Sequence, residues 1–448
     1  MDFISTRGGD AVGIDVALVA GLAPDGGLYI PRTIPAATLT HPGPTLADTA
    51  QQLLAPYFAG SRLRQELPRI CRSAFDFPAP LRELAGEGDH LLELFHGPTA
   101  AFKDYAARFL AQCLAGLRED DGQPPTTILV ATSGDTGAAV GAAFHNRPGF
   151  RVAILYPDGR VSPRQAHGLA CFGGNVRCFR VEGSFDDCQA IVKQVLGDAA
   201  LRARLPLGSA NSISLGRLLP QMAYYAHTAL AYRQQHGQAL NFIVPTGNLG
   251  NALACWLARR MGLPIGEIVL GCNANDVLPR FFAGGDYAPS AGVATLANAM
   301  DVGAPSNFER LRALHADDGQ VRASMRAIGV DDATIGGTIA SAPTRHGVVP
   351  CPHTAVGLHV LETLRAQGDR RPWAVVATAH AAKFDTVVEP RVGHTVVPPP
   401  GLARWLSRPA HAEAMPADAS WLREQLMNWD ETRGDMPSRH ETGAFRCV

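Results

Sequence analysis

The chain has 448 residues, a mass of 47.5 kDa and a formal net charge of −1. This length predicts two or three domains, and the balanced charge, without a long block of one sign, argues against nucleic-acid or membrane partners. Nine scattered cysteines without a C-x-x-C pair and an N-terminus unlike a signal peptide argue against a disulfide framework and a zinc site, so we expect a cytoplasmic protein without a metal.

The first segment predicts a small N-terminal domain. We expect a helix at Leu18 to Leu22, and the glycine-containing run that follows predicts a turn into a strand ending near Pro31.

Lys103 lies in the run FHGPTAAFKD at residues 95–104. A lysine can hold an aldehyde cofactor when its environment lowers its pKa, because the neutral amine attacks the aldehyde. Taken alone, such a run is more often a solvated surface stretch. The motifs that follow favour the cofactor-binding interpretation.

Short apolar runs with few polar alternations predict strands that are buried on both faces. We expect six of them, at Thr127 to Ala131, Val152 to Tyr156, Val176 to Val181, Phe242 to Pro245, Ile268 to Cys272 and Ala374 to Thr378. Helical patterns lie between them, at Ala138 to Phe144, Phe185 to Leu196, Leu215 to Tyr225 and Ala252 to Met261. The alternation predicts an α/β fold with parallel sheets.

The first predicted strand of this series is followed by a turn that contains Ser133, Gly134, Asp135, Thr136 and Gly137. Hydroxyl groups and exposed N–H groups at a helix start can bind a carboxylate, which would fix the bond to be broken in an amino-acid substrate. A capped helix with closely packed glycines is the open alternative, and both descriptions can hold together.

The run 209–217 places the Ser212 hydroxyl and the Arg217 guanidinium around a predicted helix start. Arginine binds phosphate in a bidentate manner. The pair is therefore a candidate phosphate site, with a serine cap and a solvated arginine as the alternative.

A glycine-rich turn between the next strand and helix contains Gly247, Asn248, Leu249 and Asn251. The helix dipole and unpaired N–H groups favour an anion there, and glycine lets a phosphate approach the backbone closely. We interpret this turn as a phosphate cradle. Alone it would more often be an ordinary Asn-capped turn, but Lys103 upstream changes that balance.

Thr378 ends the last predicted strand, at the edge where α/β sheets bind ligands. Its neutral hydroxyl can face a pyridine nitrogen and leave it largely unprotonated, or it can simply cap the strand end. Beyond the three prolines at 398–400 the pattern weakens, and we expect a C-terminal helix and a loose tail.

Together these runs resemble the threonine synthase family, a group of fold type II, tryptophan synthase β-like pyridoxal phosphate enzymes. Similar runs at 3–8, 21–29, 299–302, 306–310, 352–357 and 378–380 extend the resemblance to about residue 400. It implies two open, mostly parallel sheets flanked by helices. It also implies an N-terminal domain (1–80), a large cofactor-binding domain (81–126 and 227–400), a small α/β domain (127–226) and a C-terminal helix with its tail (401–448).

The resemblance also implies roles for single residues. Lys103 would form the Schiff base with pyridoxal 5'-phosphate, and Thr378 would meet the ring nitrogen. The cofactor phosphate would lie against Gly247, Asn248, Leu249 and Asn251, the substrate carboxylate against Ser133, Gly134, Asp135, Thr136 and Gly137, and the substrate phosphate against Ser212 and Arg217. The implied substrate is O-phospho-L-homoserine, converted by γ-elimination and β-addition of water in a monomer or homodimer.

Five positions depart from the family pattern near the ligand loops: Ser214, Asn251, Val277, Cys351 and Ala381. They leave open a related lyase that acts on another phosphorylated or phosphonate amino acid, or a cysteate synthase-like β-replacement. A third alternative is a non-catalytic relative, against which the presence of Lys103 counts. His96, His353 and His380 are candidate proton donors at Cγ by position alone, and a buried structural role is expected for each.

Overall fold

The structure is a computed structural model that describes residues 1–119, 122 and 124–429. Its N-terminal segment contains β1 (Phe3–Ser5), β2 (Gly8–Val12), α1 (Ile14–Ala20), β3 (Tyr29–Pro31), α2 (Leu46–Leu54) and α3 (Leu67–Ala74). The strands form an antiparallel sheet in the order β2-β1-β3. The predicted strand is confirmed as β3, but the predicted helix lies earlier in the chain. α1 ends at Ala20 because Gly21 adopts a φ of +71°, which terminates the helix.

The rest of the described chain alternates strands and helices. Residues 81–117 contain β4 (Leu81–Glu83), β5 (Asp89–Glu93) and α4 (Lys103–Leu117). Residues 126–236 contain β6 (Thr126–Ala131), α5 (Asp135–Phe144), β7 (Phe150–Pro157), α6 (Pro163–Ala170), β8 (Val176–Glu182), α7 (Phe185–Gly197), α8 (Ala199–Arg202), β9 (Leu207–Ser209), α9 (Leu215–Leu218) and α10 (Met222–His236).

The third segment, residues 240–392, contains β10 (Leu240–Pro245), α11 (Gly250–Arg260), β11 (Ile265–Cys272), α12 (Val277–Phe282), α13 (Asn307–Ala313), α14 (Asp318–Ser324), β12 (Arg326–Gly329), α15 (Asp332–His346), α16 (Pro352–Ala366), β13 (Trp373–Ala377) and α17 (Asp385–Val392). The last described elements are α18 (Pro400–Leu406), β14 (Glu413–Pro416) and α19 (Ala419–Met427). All six predicted core strands are present, and the predicted α/β fold is confirmed.

The larger sheet has six strands in the order β12-β11-β10-β13-β5-β4, and its neighbouring strands are parallel except for β4 and β5. β10 is buried along its whole length, as expected for a strand covered on both faces. The chain proceeds from β10 to β11 on one side and later to β13 on the other. The carboxyl ends of β10 and β13 therefore form a switch point, where α/β sheets bind ligands.

The smaller sheet has five parallel strands in the order β14-β8-β7-β6-β9. β6 lies between β7 and β9, so its carboxyl end is a second switch point. The turns that follow β6, β10 and β13 carry most of the predicted site residues. The topology thus explains why separate runs of sequence contribute to one site.

The helix predicted from Leu215 to Tyr225 is not continuous. α9 ends at Leu218, residues 219–221 form a 3-10 turn, and α10 begins at Met222. Pro220 lies in this turn, and it has no N–H group to continue α-helical hydrogen bonding.

The C-terminal segment completes the smaller sheet. β14 pairs with β8, α19 packs against α7, and Trp429 is buried. The sequence predicted the helix here but not the strand. The predicted loose tail lies, from residue 430 onwards, outside the described residues, and the predicted domain boundaries stay a prediction. In the part of the chain that the structure describes, we find no helix with the length and apolar character needed to span a membrane.

Candidate active site

Lys103 is the first residue of α4, and the turn before it is hydrogen-bonded to the end of β13. The backbone N–H of Phe102 donates to the carbonyl of Thr378 at 2.9 Å, and that of His380 donates to the carbonyl of Ala100 at 3.0 Å. These two bonds hold the Lys103 turn against Thr378, at the carboxyl edge of the larger sheet.

The environment of Lys103 lowers its pKa to about 8. Burial is the main cause, because it removes water from the ammonium group. The Asp135 carboxylate opposes this effect, whereas the cations of Arg217 and Lys383 add to it. These four groups come from distant segments and lie within electrostatic reach of one another. At pH 7 about a tenth of Lys103 is therefore neutral and nucleophilic.

The turn after β6 is shaped by a threonine and two glycines. Thr132 Oγ1 accepts hydrogen bonds from the backbone N–H groups of Gly134 at 3.0 Å and Gly137 at 2.9 Å. Gly134 adopts a φ of +132°, a conformation that glycine tolerates without strain. α5 begins here, and apart from the Thr132 bond to Gly137 no side chain among the described residues caps its first turn, because the N-cap residue is Gly134. Part of its N-terminal N–H groups is therefore available to an anion.

Asp135 and Lys383 form a buried ion pair beside this turn. Lys383 Nζ lies 2.9 Å from Asp135 Oδ1, and each side chain is only 4% exposed. Lys383 also donates to the carbonyl of Thr99 at 2.7 Å, and Gln165 Nε2 donates to Asp135 Oδ1 at 3.3 Å. Burial opposes ionisation of Asp135, but the ammonium groups of Lys383 and Lys103 outweigh it and hold the pKa of this carboxyl well below its ordinary value.

Lys383 is a site residue that the sequence reasoning missed. The chain contains only three lysines, Lys103, Lys193 and Lys383, among forty lysines and arginines. Lys193 is exposed, whereas the other two lie at this site. The scarcity of lysine was the available signal, although it could not by itself distinguish Lys383 from a surface residue.

The turn after β10 has the geometry of an anion cradle. Leu249 adopts a left-handed φ of +63°. A side chain at Gly247 would approach the Met300 Cα to 2.6 Å, so close backbone packing requires glycine there. No side chain caps α11. The N–H groups at its start, with the positive end of the helix dipole, favour a phosphate.

Asn248 joins this cradle to two other segments. Its Nδ2 donates to Ser212 Oγ at 2.6 Å. Its Oδ1 accepts from the backbone N–H of Ser306 at 2.5 Å and from the Ser306 hydroxyl at 2.8 Å. The structure therefore brings together Ser212 and the glycine-rich turn, which lie far apart in sequence.

Arg217 is a buried cation without a carboxylate partner among the described residues. It is 3% exposed, and its Nη1 donates to the carbonyl of Ala210 at 2.5 Å. Burial lowers its pKa to about 10, against the opposing effects of Asp104 and Tyr224. A buried charge is unfavourable unless it is paired. The arrangement therefore calls for an anionic ligand.

Buried polar atoms without a hydrogen-bond partner cluster in the same region. Asn251 Oδ1 accepts from the hydroxyls of Tyr224 and Tyr225, both at 2.8 Å, whereas its Nδ2 has no partner. Three further unpartnered atoms lie in the run 211–217: Asn211 Oδ1, Ser214 Oγ and Arg217 Nε. Buried polar groups are nearly always hydrogen-bonded in native structures. This cluster therefore indicates a ligand.

Two histidines near the site, the buried His353 and the half-buried His380, are held as neutral acceptors. His353 Nε2 accepts from the backbone N–H of Ala299 at 3.1 Å, and His380 Nδ1 accepts from that of Ala382 at 3.2 Å. Burial lowers the pKa of each histidine to about 4. His96 instead lies at the surface edge, with Nε2 2.8 Å from a Glu93 carboxylate oxygen.

The remaining departures from the family pattern occupy packed positions. Cys351 precedes α16, where its Sγ accepts from the backbone N–H of Thr354 at 3.4 Å and lies 3.8 Å from His353 Nδ1. Val277 is the buried first residue of α12, and Ala381 is buried in the 3-10 turn after β13.

These residues fit pyridoxal phosphate. Lys103 supplies an amine of lowered pKa, the turn after β10 supplies a phosphate cradle, and Thr378 supplies a neutral side chain at the strand end. The unpartnered donors Arg217 Nε and Asn251 Nδ2 require anionic or acceptor groups that a phosphorylated ligand provides.

Comparison with known proteins identifies the family. The family model for pyridoxal-phosphate dependent enzymes matches residues 78–381, and models for the N-terminal and C-terminal parts of threonine synthase match residues 2–75 and 354–425. Threonine synthase from Escherichia coli K12 is 39% identical over 416 residues, covering 92% of this chain and 96% of the relative. The threonine synthase from Serratia marcescens is 38% identical, covering 92% and 95%.

Solved structures agree with these matches. The crystal structure of E. coli threonine synthase superposes with a TM-score of 0.86 at 36% identity, covering 96% of this chain and 100% of that chain. The structure of threonine synthase from Brucella melitensis with bound pyridoxal phosphate gives 0.85 at 34% identity, covering 95% and 98%. Maize serine racemase, at 17% identity and 0.51, shares the fold alone. The predicted fold type II architecture and cofactor are confirmed, and the chain belongs to the threonine synthase family of pyridoxal-phosphate dependent enzymes.

Proposed function

We propose that this chain converts O-phospho-L-homoserine and water to L-threonine and phosphate, the last step of threonine biosynthesis. The observation that carries the proposal is Arg217, a buried guanidinium without a carboxylate partner among the described residues and within electrostatic reach of Lys103. A substrate with a phosphate close to its reacting carbons supplies the missing negative charge. Among small amino acids, a phosphorylated one therefore suits the site.

Lys103 holds the cofactor and carries protons. When bound, pyridoxal phosphate supplies an electron-withdrawing ring that stabilises negative charge developing at the substrate Cα and Cβ. The Lys103 amine takes the proton from Cα, returns it to the bound ligand and, neutral again, takes a proton from Cβ, because its lowered pKa makes the neutral base available near pH 7. Gly247, Asn248, Leu249 and Asn251 would hold the cofactor phosphate, and Thr378 would offer the ring nitrogen a neutral hydroxyl, which leaves that nitrogen largely unprotonated.

The substrate is held at both ends. The turn Ser133, Gly134, Asp135, Thr136 and Gly137 fixes the carboxylate with backbone N–H groups and hydroxyls, which sets the orientation of the Cα–H bond. Ser212 and Arg217 bind the substrate phosphate. The Arg217 guanidinium stabilises the charge that builds on this phosphate as the bond from Cγ to oxygen breaks.

The proposal extends to the cellular setting. Eight cysteines, all within the described residues, are buried free thiols, which supports a reducing, cytoplasmic compartment. A monomer or homodimer that binds a small molecule and no nucleic acid is the assembly that we propose.

A second candidate is a related lyase for another phosphorylated or phosphonate amino acid, or a cysteate synthase-like enzyme. Ser214 favours it, because this departure from the family pattern lies in the run assigned to the substrate phosphate and its hydroxyl is buried without a partner among the described residues. Such an enzyme would retain the cofactor site and change only the fit of the substrate.

The decisive experiment is turnover of O-phospho-L-homoserine by purified, cofactor-loaded protein, with phosphate and threonine quantified together. Equal amounts of the two products support threonine synthase. Phosphate with 2-oxobutyrate means elimination without addition of water. A yellow protein that releases no phosphate from this substrate overturns the proposal and directs attention to the second candidate.

A further inference from the structure

A second lysine lies in the active site, and the established roles of the family motifs do not account for it. Lys383 is buried, and its ammonium group contacts only protein acceptors in the described residues: the Asp135 carboxylate at 2.9 Å and the Thr99 carbonyl at 2.7 Å. Both acceptors lie next to functional segments, since Asp135 begins α5 and Thr99 lies in the turn that leads to Lys103.

Asp135 interacts electrostatically with two lysines. It is close enough to both Lys383 and Lys103 for each ammonium to favour its ionised form. In the structure its Oδ1 contacts Lys383 directly, whereas no ion pair between Asp135 and Lys103 is present among the described residues. A buried carboxylate takes the strongest available counter-ion. Without Lys383, the counter-ion available to Asp135 would be Lys103.

We propose that Lys383 is a positioning residue that engages the Asp135 carboxylate and thereby keeps Lys103 free to be a neutral amine. The inference rests on the proposed role of Lys103 as the cofactor lysine. Lys383 acts through Asp135 and needs no contact with substrate or cofactor. It also fixes the start of α5, so that the backbone N–H groups of Asp135 and Thr136 remain available to the substrate carboxylate instead of an unpaired aspartate.

The neighbouring charges shift the pKa of Lys103 in known directions. Asp135 raises the pKa of Lys103, whereas Arg217 and Lys383 lower it. Loss of Lys383 removes one lowering charge and leaves Asp135 unopposed, so both changes raise the pKa of Lys103. Other titratable groups that face this cluster are Asp104, His353, Cys351 and His380. They are unchanged in the variants below and affect each variant alike.

The test uses the full-length protein with the cofactor removed and then restored. The rate of loading with pyridoxal phosphate is followed by visible absorbance between about pH 6 and pH 10, a range that brackets a perturbed lysine. Borohydride then traps the cofactor, and mass spectrometry locates it. The mapping is simple because the chain has only three lysines. The control is K193M, which alters the exposed third lysine.

K383M is expected to move the loading profile to higher pH. A rise of one in the pKa of Lys103 slows loading about tenfold on the acidic side of the midpoint. The double variant K383M/D135N removes both charges and is expected to return the midpoint to within about half a pH unit of the wild type. The inference is overturned if the midpoint of the loading profile of K383M is the same as that of the wild type. It is also overturned if the midpoint of the double variant moves as far as that of K383M.

D135N alone keeps the proposal testable if K383M does not fold. It removes the one carboxylate that raises the pKa of Lys103, so its midpoint is expected to move to lower pH. A merely structural ion pair predicts reduced cofactor occupancy without any movement of the midpoint, and this result in D135N overturns the inference. If borohydride traps the cofactor of the wild type at a residue other than Lys103, the proposed function fails as well. If the cofactor is trapped at Lys103 but the midpoints of the loading profiles do not move in the variants, only the inference about Lys383 is refuted.

Discussion

Replacing Arg217 with methionine separates stability from function, because this residue is buried as a cation and lacks a carboxylate partner among the described residues. Its pKa falls from the ordinary 12.5 to about 10, and this difference corresponds to roughly 3 kcal/mol. The unfolded chain binds its proton more tightly, so the penalty is fully present at pH 7, below both pKa values, and declines only as pH rises through about 10.

R217M removes this penalty but leaves the Ala210 carbonyl without its donor, a loss of about 1–2 kcal/mol. The net expectation is that the ligand-free protein becomes more stable by about 1–2 kcal/mol. Two charge-assisted hydrogen bonds to the substrate phosphate are lost, so kcat/KM is expected to fall about 100-fold or more.

Arg310 provides a matched control. It is also fully buried, and its pKa is likewise lowered, to about 9. However, its guanidinium donates to the carbonyls of Tyr29 at 3.0 Å and Ile213 at 2.5 Å, and to Asn307 Oδ1 at 2.6 Å. R310M strands four acceptors, the Ser212 carbonyl included, at about 1–2 kcal/mol each. By the same conversion it removes a penalty of roughly 5 kcal/mol. The net expectation is a change between about zero and a 3 kcal/mol destabilisation, in contrast to the gain expected for R217M.

The assay is thermal unfolding of both variants with and without inorganic phosphate, alongside steady-state kinetics. The protein is loaded with cofactor for this assay, so that the phosphate cradle at 247–251 is already filled. Phosphate is then expected to raise the Tm of the wild type and not that of R217M, because binding stabilises only a folded state that retains the Arg217 site. The reasoning is refuted if R217M is destabilised as much as R310M, or if it keeps kcat/KM within about threefold of the wild type.

Three further changes test other parts of the site. K103A is expected to abolish both cofactor-linked absorbance and turnover, and activity that survives it would overturn the catalytic assignment. G247A places a methyl group 2.6 Å from the Met300 Cα, so we expect a loss of about 2 kcal/mol or more in unfolding free energy and weaker cofactor binding, measured by urea titration and equilibrium dialysis. C351D puts a carboxylate beside His353 Nδ1, now 3.8 Å from the thiol, and is expected to raise the pKa of His353 above its present value of about 4 in an NMR titration.

The sequence predicted the central strands and the three ligand turns because parallel strands buried on both faces appear as uninterrupted apolar runs. β14 was not predicted, because the segment Glu413–Pro416 is short and lies at a sheet edge. Its pairing with β8 depends on a contact between segments far apart in sequence. The helix break at Pro220 was readable in principle, since proline lacks the N–H group that a helix interior needs.

Lys383 shows the limit of local patterns in the site itself. Neither its neighbours nor its spacing distinguishes it from a solvated lysine, because its partners Asp135 and Thr99 are more than two hundred residues away in the chain. Arg217 was named as a phosphate ligand from its run alone. The lack of a directly ion-paired carboxylate among the described residues, which supports that assignment, is visible only in three dimensions.

The unpartnered atoms would make the proposed site selective for phosphorylated ligands. Ser214 Oγ and Arg217 Nε, in the run assigned to the substrate phosphate, are buried without partners among the described residues, and each such group costs about 1–3 kcal/mol in the ligand-free protein. Because the ligand-free protein leaves these atoms without hydrogen bonds, a ligand that bonds to both of them at once gains the most binding free energy. A phosphate offers several acceptor oxygens and negative charge, whereas a neutral hydroxyl offers neither in sufficient number. Unphosphorylated homoserine is expected to bind weakly, because it would leave these buried atoms without partners in the complex.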